Sequence, residues 1–155
     1  FVAALAALRR EIEADGAIAL RRLDEAVRRR LEGDGDRALV ALALHHAYTA
    51  IESLLDRLVR HFDGGSPTGP DSHRALLTRA ALDIPGIRPA LLGAPTVERA
   101  RELLRFRHFL HHDYGAELDG PQLEVLQAHA QELATLLAGD LAALDTWLQA
   151  TAAAG

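Results

Sequence analysis

The amino-acid sequence predicts an all-α protein, an antiparallel bundle of about five helices that forms a single domain over residues 1–155. Three observations support this prediction. Apolar residues recur at the three- and four-residue spacing of helices in several long segments. Short clusters of glycine, proline and polar residues separate those segments. A chain of this length suits one domain and is long enough to bury about two-thirds of its unfolded surface.

The N-terminal part of the chain contains two long predicted helices. The first runs from residue 1 to about residue 31 and ends in arginines, which oppose the negative end of the helix dipole. A turn follows at residues 33–36, where Asp34 or Asp36 can cap a second helix that runs to about Asp63. We expect the second helix to bury the apolar stripe Leu39, Ala43, Ala47, Ile51, Leu54, Leu58 and Phe62.

A short helix is predicted in the middle of the chain. Residues 64–70 form the clearest loop, because glycine and proline interrupt the helical period there. Asp71 or Ser72 can cap the helix that follows, which ends near residue 82. A second breaker at residues 84–89 then separates this helix from the C-terminal part of the chain.

Two further helices complete the predicted bundle. Thr96 is the predicted N-cap of the fourth helix. That helix ends at residues 113–115, where Gly115 suits a left-handed C-cap. The last helix begins near residues 119–121, with Pro121 in its first turn, and continues to the end of the chain.

Composition and charge exclude several kinds of site and disfavour several classes of protein. The chain has no cysteine, which excludes disulfides and thiolate metal sites. It has no run of about eighteen apolar residues and no apolar leader with a cleavage site, so we expect a cytoplasmic protein without a membrane span. The net charge of −5 disfavours a sequence-blind nucleic-acid coat but permits a local basic cleft. We expect no cofactor and no bound metal ion.

Residues suited to chemistry are concentrated between Arg105 and Gly115, where arginines, histidines, a carboxylate and a tyrosine lie together. Arg107, His112 and Tyr114 spell Arg-x4-His-x-Tyr. Metal-independent RNA cleavage needs a base for the 2′-OH proton, a cation beside the phosphate and an acid for the leaving oxygen. Histidine, with an unperturbed pKa of about 6.5, suits either proton transfer, and the guanidinium of arginine suits the phosphate. On an ideal helix, five residues advance about 500°, so Arg107 and His112 do not share one face.

This motif and the segments around it resemble the HepT-like branch of the HEPN superfamily. The similarity is collinear over residues 5–148 and is carried by residues 48–57, 69–77, 87–89 and 105–119. It implies a HEPN-like helical bundle. It also implies a metal-independent endoribonuclease toxin of a type VII-like bacterial toxin–antitoxin pair, in which two protomers form a homodimer and bring their motifs together across a twofold axis.

The same resemblance implies roles for individual residues. Arg107 corresponds to the residue that binds the RNA phosphate, and His112 to the general acid or base. Tyr114 corresponds to the tyrosine to which a partner, the minimal nucleotidyltransferase antitoxin, transfers AMP. A bulky anion on Tyr114 would then compete with the RNA phosphate. Asp113 fills the variable position of the motif, where an acid would orient His112 or repel phosphate. The residues expected to have accessory or RNA-binding roles are Arg105, His108, His111 and Asp113.

Two other functional interpretations fit the sequence. A non-catalytic helical subunit would bind a nucleotide or a small nucleotidyltransferase, and the acidic net charge and Asp113 favour it. A metal-binding bundle would use His108, His112 and Asp113, because histidines four residues apart on a helix can share a metal ion. A purely structural interpretation also exists, since basic residues near a helix C-terminus are favoured in any protein and Phe106 and Phe109 suit a core.

Overall fold

The computed structural model describes residues 1–112 and 117–155. These residues form helices and no strand, apart from one isolated bridge between Ile84 and Arg88. The helices are α1 (Val2–Arg28), α2 (Asp34–Asp63), α3 (Ser72–Ala80), α4 (Ala94–His112) and α5 (Gly120–Ala154). This confirms the all-α prediction, although α1 is slightly shorter than expected and ends at Arg28.

Side-chain pairs show that α1 and α5 run antiparallel, and that α4 and α5 do so too. Near the N-terminus of α1, Arg9 Nε donates to Asp145 at 2.6 Å, close to the C-terminus of α5. At the other end of the same two helices, Gln127 Nε2 donates to the carbonyl of Ala26 at 2.9 Å. In the side-chain contacts between α4 and α5, residue numbers rise along α4 as they fall along α5. These contacts join Thr96 to Asp140, Arg99 to Glu132, and Glu102 to His129.

The central helix is α2, which packs against each of the other four described helices. By length and composition alone, α2 is also the one described helix apolar enough to cross a membrane. Half of its most apolar window is buried inside the bundle, as expected for the core helix of a folded domain. Its buried residues, which include Tyr48, belong to one hydrophobic core shared by all five helices.

The inward face of α2 differs from the predicted stripe at its N-terminal end. Leu39 was predicted to be buried but is 47 % exposed, whereas its neighbour Val40 is fully buried. Adjacent residues lie about 100° apart on a helix, and here Val40 faces the core whereas Leu39 faces outward. Phe62 is half-buried and packs edge-on against Trp147 of α5. The buried members of the predicted stripe are Ala43, Ala47, Ile51, Leu54 and Leu58.

The start of α4 shows that the prediction of Thr96 as its N-cap is wrong. The helix begins at Ala94, and the N–H of Val97 already donates to the carbonyl of Gly93 at 3.1 Å. Thr96 is buried, and its hydroxyl donates to Asp140 Oδ2 at 2.5 Å. The same oxygen accepts the N–H of Gly93 at 2.9 Å. A carboxylate from α5 therefore satisfies the first turn of α4, which a local capping signal cannot reveal.

A buried ion pair fastens the C-terminus of α2 to the segment that follows α3. The side chains of Asp63 and Arg88 are both 0 % exposed. Arg88 Nε and Nη2 donate to the two carboxylate oxygens at 2.7 and 2.8 Å. Arg79 of α3 donates to the same carboxylate at 2.7 Å. The hydrogen bonds from Arg88 are the main reason that the pKa of Asp63 lies below its usual range. This network fixes α3, whose first turn carries His73.

Candidate active site

Arg107 occupies the junction at which the last turns of α4 meet α2 and α3. Its side chain is 19 % exposed. Its guanidinium carbon lies 5.8 Å from the ring centroid of Tyr48, which is within the range of a cation–π contact. Its Nη1 lies 3.3 Å from His73 Nδ1 and 3.8 Å from Glu52 Oε2. Side chains of α2 and α3 thus contact the guanidinium, while its buried Nε has no partner among the described residues.

Glu52 is the acceptor at the centre of this group. Its Oε2 lies 2.6 Å from His73 Nδ1. An ionised carboxylate only accepts hydrogen bonds, so in this contact His73 Nδ1 carries the hydrogen and Nε2 is left as the second functional nitrogen. Burial, and then the negative charge of Glu52, raises the pKa of Tyr48 well above its ordinary range. Tyr48 therefore remains a neutral side chain beside the Arg107 cation.

Six of the eight histidines lie at this end of the bundle, and we call them the imidazole cluster. The ring centroid of His108 lies 6.0 Å from that of His73 and 6.2 Å from that of His112. Among the other three members, the ring centroid of His45 lies 5.3 Å from that of His111 and 5.9 Å from that of His46. The members are His45 and His46 of α2, His73 of α3, and His108, His111 and His112 of α4.

Two members of the cluster have perturbed acidity. Burial is the largest cause that lowers the pKa of His45, and the positive charge of Arg107 lowers it further. Burial also lowers the pKa of His108, and the neighbouring His73 and Arg107 add to this effect. Both rings are therefore neutral at pH 7, because the unperturbed pKa is already about 6.5. The site combines a permanent cation with imidazoles that can accept a proton.

A basic pocket adjoins the imidazole cluster. It is open, has a volume of about 270 Å³, and is lined by Arg74, Arg101, Leu104, Arg105 and His108. Within residues 1–112 and 117–155, none of its three arginines forms an ion pair with a carboxylate. Because guanidinium groups match phosphate oxygens in geometry and charge, this pocket suits an anionic backbone. His108 lines this pocket and also belongs to the cluster, so the positive surface along α4 is continuous with the junction.

Comparison with protein families shows which family the chain belongs to. The family described as HepT-like protein matches residues 39–148, which is more than half of the chain and includes every member of the imidazole cluster. This chain is a HepT-like protein. No curated protein and no solved structure gives a significant match. The resemblance carried by residues 48–57, 69–77, 87–89 and 105–119 is thereby confirmed, and the family indicates a HEPN-type toxin domain.

In this HepT-like protein, the two predicted catalytic residues lie in different surroundings. Arg107 points into the junction, whereas His112 is exposed in the last turn of α4. His112 stacks on His108, and His108 in turn contacts His73 beside Arg107. This arrangement agrees with the angular offset expected for residues five positions apart. The catalytic roles of Arg107 and His112 remain predictions.

The predicted accessory residues of the HepT-like protein are distributed around the same end. Arg105 and His108 line the basic pocket. His111 is exposed and packs edge-on against His45. The predicted modification site Tyr114 and the predicted accessory residue Asp113 lie outside the described residues, as does the expected Gly115 cap. Among the described residues, no three His, Asp or Glu side chains are placed to hold a metal ion.

Tyr48, Glu52 and His73 complete the site, but sequence reasoning assigned them no role. All three lie in segments that carry the family resemblance, residues 48–57 and 69–77. Tyr48 and Glu52 are four residues apart and therefore share one face of α2. The sequence does contain a feature that could have identified them. A tyrosine and a carboxylate share one face of a helix, and a histidine lies in another segment that resembles the family. Only the packing of α4 shows that they converge on Arg107.

Proposed function

We propose that this HepT-like protein is a metal-independent endoribonuclease toxin of a bacterial toxin–antitoxin pair, acting on RNA in the cytoplasm. The observation that carries the proposal is the junction of Arg107 with the imidazole cluster. It provides a fixed cation for the phosphate together with groups that transfer protons near neutral pH. The basic pocket lined by Arg74, Arg101 and Arg105 supports an anionic polymer as the substrate.

The proposed reaction is a transesterification within the RNA chain. The ribose 2′-oxygen forms a bond to phosphorus while the bond from phosphorus to the 5′-oxygen breaks. The products are a 2′,3′-cyclic phosphate and a 5′-hydroxyl. Arg107 stabilises the negative charge that develops on the phosphoryl oxygens. His112 carries out one of the two proton transfers, and its exposure leaves it accessible to a large substrate.

RNA cleavage in the presence of a metal chelator tests the proposal. We expect the wild-type protein to cleave RNA, and Arg107→Ala and His112→Ala to reduce the rate by about 10²–10⁴-fold. The control is His61→Ala, which removes an exposed histidine of α2 outside the imidazole cluster. Circular dichroism should show that all variants remain helical. Wild-type protein that leaves RNA intact, or an unchanged rate in both site variants, would refute the proposal.

We further propose that the active form is a homodimer. Leu39 and Leu42 are 47 % and 49 % exposed, although both are large apolar residues. Their spacing places them on one face of α2 together with the exposed His46. A second copy that covers this face would bring two imidazole clusters close together. Sedimentation velocity should give a dimer for the wild-type protein and a monomer for Leu42→Glu. A wild-type monomer at micromolar concentration would contradict this assembly.

The proposed protein partner is a minimal nucleotidyltransferase antitoxin that transfers AMP to Tyr114. The chain has two tyrosines, and Tyr48 is only 1 % exposed, so the folded protein does not offer Tyr48 to a nucleotidyltransferase. After incubation with such a partner and ATP, mass spectrometry should show one added adenylyl group. The addition should disappear in Tyr114→Phe and remain in Tyr48→Phe. An adenylyl group on any residue other than Tyr114 would exclude the proposed site.

A second candidate function is a non-catalytic subunit that binds a nucleotide or a nucleotidyltransferase. The position of Glu52 favours it, because a carboxylate 3.8 Å from Arg107 Nη1 partly neutralises the cation that would bind phosphate. Such a subunit would bind a mononucleotide or its partner tightly in calorimetry. It would also leave RNA intact at high protein concentration, which distinguishes it from the nuclease.

A further inference from the structure

We propose that His73 is the general base of the cleavage reaction and that Glu52 positions it. The inference rests on the nuclease activity proposed above. It adds a catalytic residue from α3, outside the Arg-x4-His-x-Tyr segment of α4. A single chain would then hold both proton-transfer groups, with His73 as the base and His112 as the acid.

The contact between His73 and Glu52 has the geometry that a general base requires. The distance of 2.6 Å from Nδ1 to Oε2 fixes the tautomer, so the lone pair is on Nε2. A carboxylate in this position also stabilises the imidazolium that forms when the base takes a proton. His73 Nε2 lies 3.5 Å from Arg107 Nη1. A phosphate held by Arg107 therefore has its neighbouring 2′-OH within reach of this ring.

Substrate can reach the ring. The His73 side chain is 32 % exposed, more than that of Glu52 or Arg107. His73 and Glu52 also line an open pocket of about 230 Å³. The other residues that line it are Ser53, Asp56, Ser66, Pro67, Ser72 and Leu76. Its hydroxyl and carboxylate groups suit the hydroxyl groups of a ribose better than they suit an apolar ligand.

Charges of both signs act on His73. Glu52 and Asp56 of α2 supply negative charge near the ring. Arg107 and His108 face it from α4, and Arg107 carries the positive charge. The carboxylates attract a positive charge on this ring and the guanidinium repels it, so their effects oppose each other.

The proton balance of the reaction is complete with these two histidines. His73 Nε2 accepts the proton of the 2′-OH as the bond from the 2′-oxygen to phosphorus forms. His112 donates a proton to the 5′-oxygen as its bond to phosphorus breaks. Water then takes the proton from His73 and returns one to His112. Both rings neighbour His108, whose centroid lies 6.0 Å from that of His73 and 6.2 Å from that of His112.

The decisive variant is His73→Asn. Asparagine can still donate a hydrogen bond to Glu52, but it cannot accept a proton at neutral pH. We expect kcat to fall by about 10²–10⁴-fold, with unchanged RNA affinity and unchanged melting temperature. The matched control is His129→Asn, because His129 Nδ1 contacts Glu102 in a second histidine–glutamate pair that lies between α4 and α5. This control should cleave RNA at the wild-type rate.

The pH profile and a modified substrate separate a base from a structural contact. The wild-type rate should rise with pH on the acidic limb, and His73→Asn should lose that limb. RNA with sulfur in place of the scissile 5′-oxygen needs no acid, so it should restore cleavage by His112→Ala but not by His73→Asn. Glu52→Gln should lower kcat by at least about tenfold and gives a second measurement if His73→Asn does not fold.

The outcomes distinguish this inference from the nuclease proposal. If the wild-type protein cleaves RNA and His73→Asn keeps both the rate and the acidic limb, His73 is not the base. If the sulfur substrate restores cleavage by His73→Asn, the assignment as base is also overturned. If the wild-type protein cleaves neither substrate, the nuclease proposal and this inference fail together.

Discussion

Removing the carboxylate of Asp63 should destabilise the protein strongly. Asp63 and Arg88 are both 0 % exposed, and Asp63 accepts three charge-assisted hydrogen bonds from Arg88 and Arg79 at 2.7–2.8 Å. Asp63→Ala leaves a buried guanidinium without its counter-ion, which typically costs about 3–5 kcal/mol. Arg88 keeps hydrogen bonds to the carbonyls of Leu82 and Pro89, so we expect a value near the lower limit.

Urea unfolding followed by circular dichroism measures this loss. For a chain of this size, each kcal/mol lowers the melting temperature by about 2–4 °C, so Asp63→Ala should melt about 6–12 °C below the wild type. The control is Asp145→Ala. Asp145 also binds an arginine through two hydrogen bonds, but its side chain is 43 % exposed. This control should lose less than about 1 kcal/mol. If both variants lost the same free energy of unfolding, burial would not be what determines the strength of the Asp63–Arg88 ion pair.

The pH dependence of stability provides an independent check of the same pair. Hydrogen bonds from Arg88 hold the pKa of Asp63 below its usual range, so the folded value lies below the unfolded value of about 3.9. The stabilisation is therefore complete above about pH 4 and is lost as the pH falls through the folded pKa. Asp63→Ala should lack this contribution to acid unfolding. A wild-type acid transition in the variant would contradict the assignment.

Two further predictions concern the start of α4 and the buried tyrosine. Asp140→Ala should lower the free energy of unfolding by about 1–3 kcal/mol in urea titration, because it leaves the N–H of Gly93 and the buried hydroxyl of Thr96 without an acceptor. Thr146→Ala, on the exposed face of α5, is the matched control and should change little. Tyr48 should not ionise in the folded protein, because burial and Glu52 raise its pKa, whereas the unfolded chain ionises near pH 10. Stability should fall above about pH 10, and ultraviolet titration of Tyr114→Phe should show tyrosinate only on unfolding.

The sequence was sufficient for the helices because their signals are local. Apolar spacing and glycine- or proline-rich breakers predicted the order of the helices and most of their limits. The errors have non-local causes. Which of Leu39 and Val40 faces the core depends on the helices packed around α2, and both residues are equally apolar. The first turn of α4 is capped by Asp140, a residue 44 positions from Thr96 in the chain.

In the candidate site, too, the residues of one local motif could be predicted from the sequence, whereas those contributed by other helices could not. Arg107 and His112 belong to a short motif, and the collinear resemblance of the segments around it to the HepT-like family was needed to select them. Glu52 and His73 come from α2 and α3, and their roles depend on distances of 2.6 and 3.3 Å that no local pattern encodes. The prediction that Tyr114 is modified stays untested, since it lies outside the described residues.

The burial of two imidazoles, His45 and His108, makes the stability of this end of the molecule sensitive to acid. The pKa values of His45 and His108 are lowered in the folded state, so the unfolded chain takes up protons first when the pH falls below about 6.5. Acidification therefore loosens the contacts that hold α2, α3 and α4 together. Mildly acidic surroundings would thus weaken the scaffold that orients Arg107 beside the basic pocket.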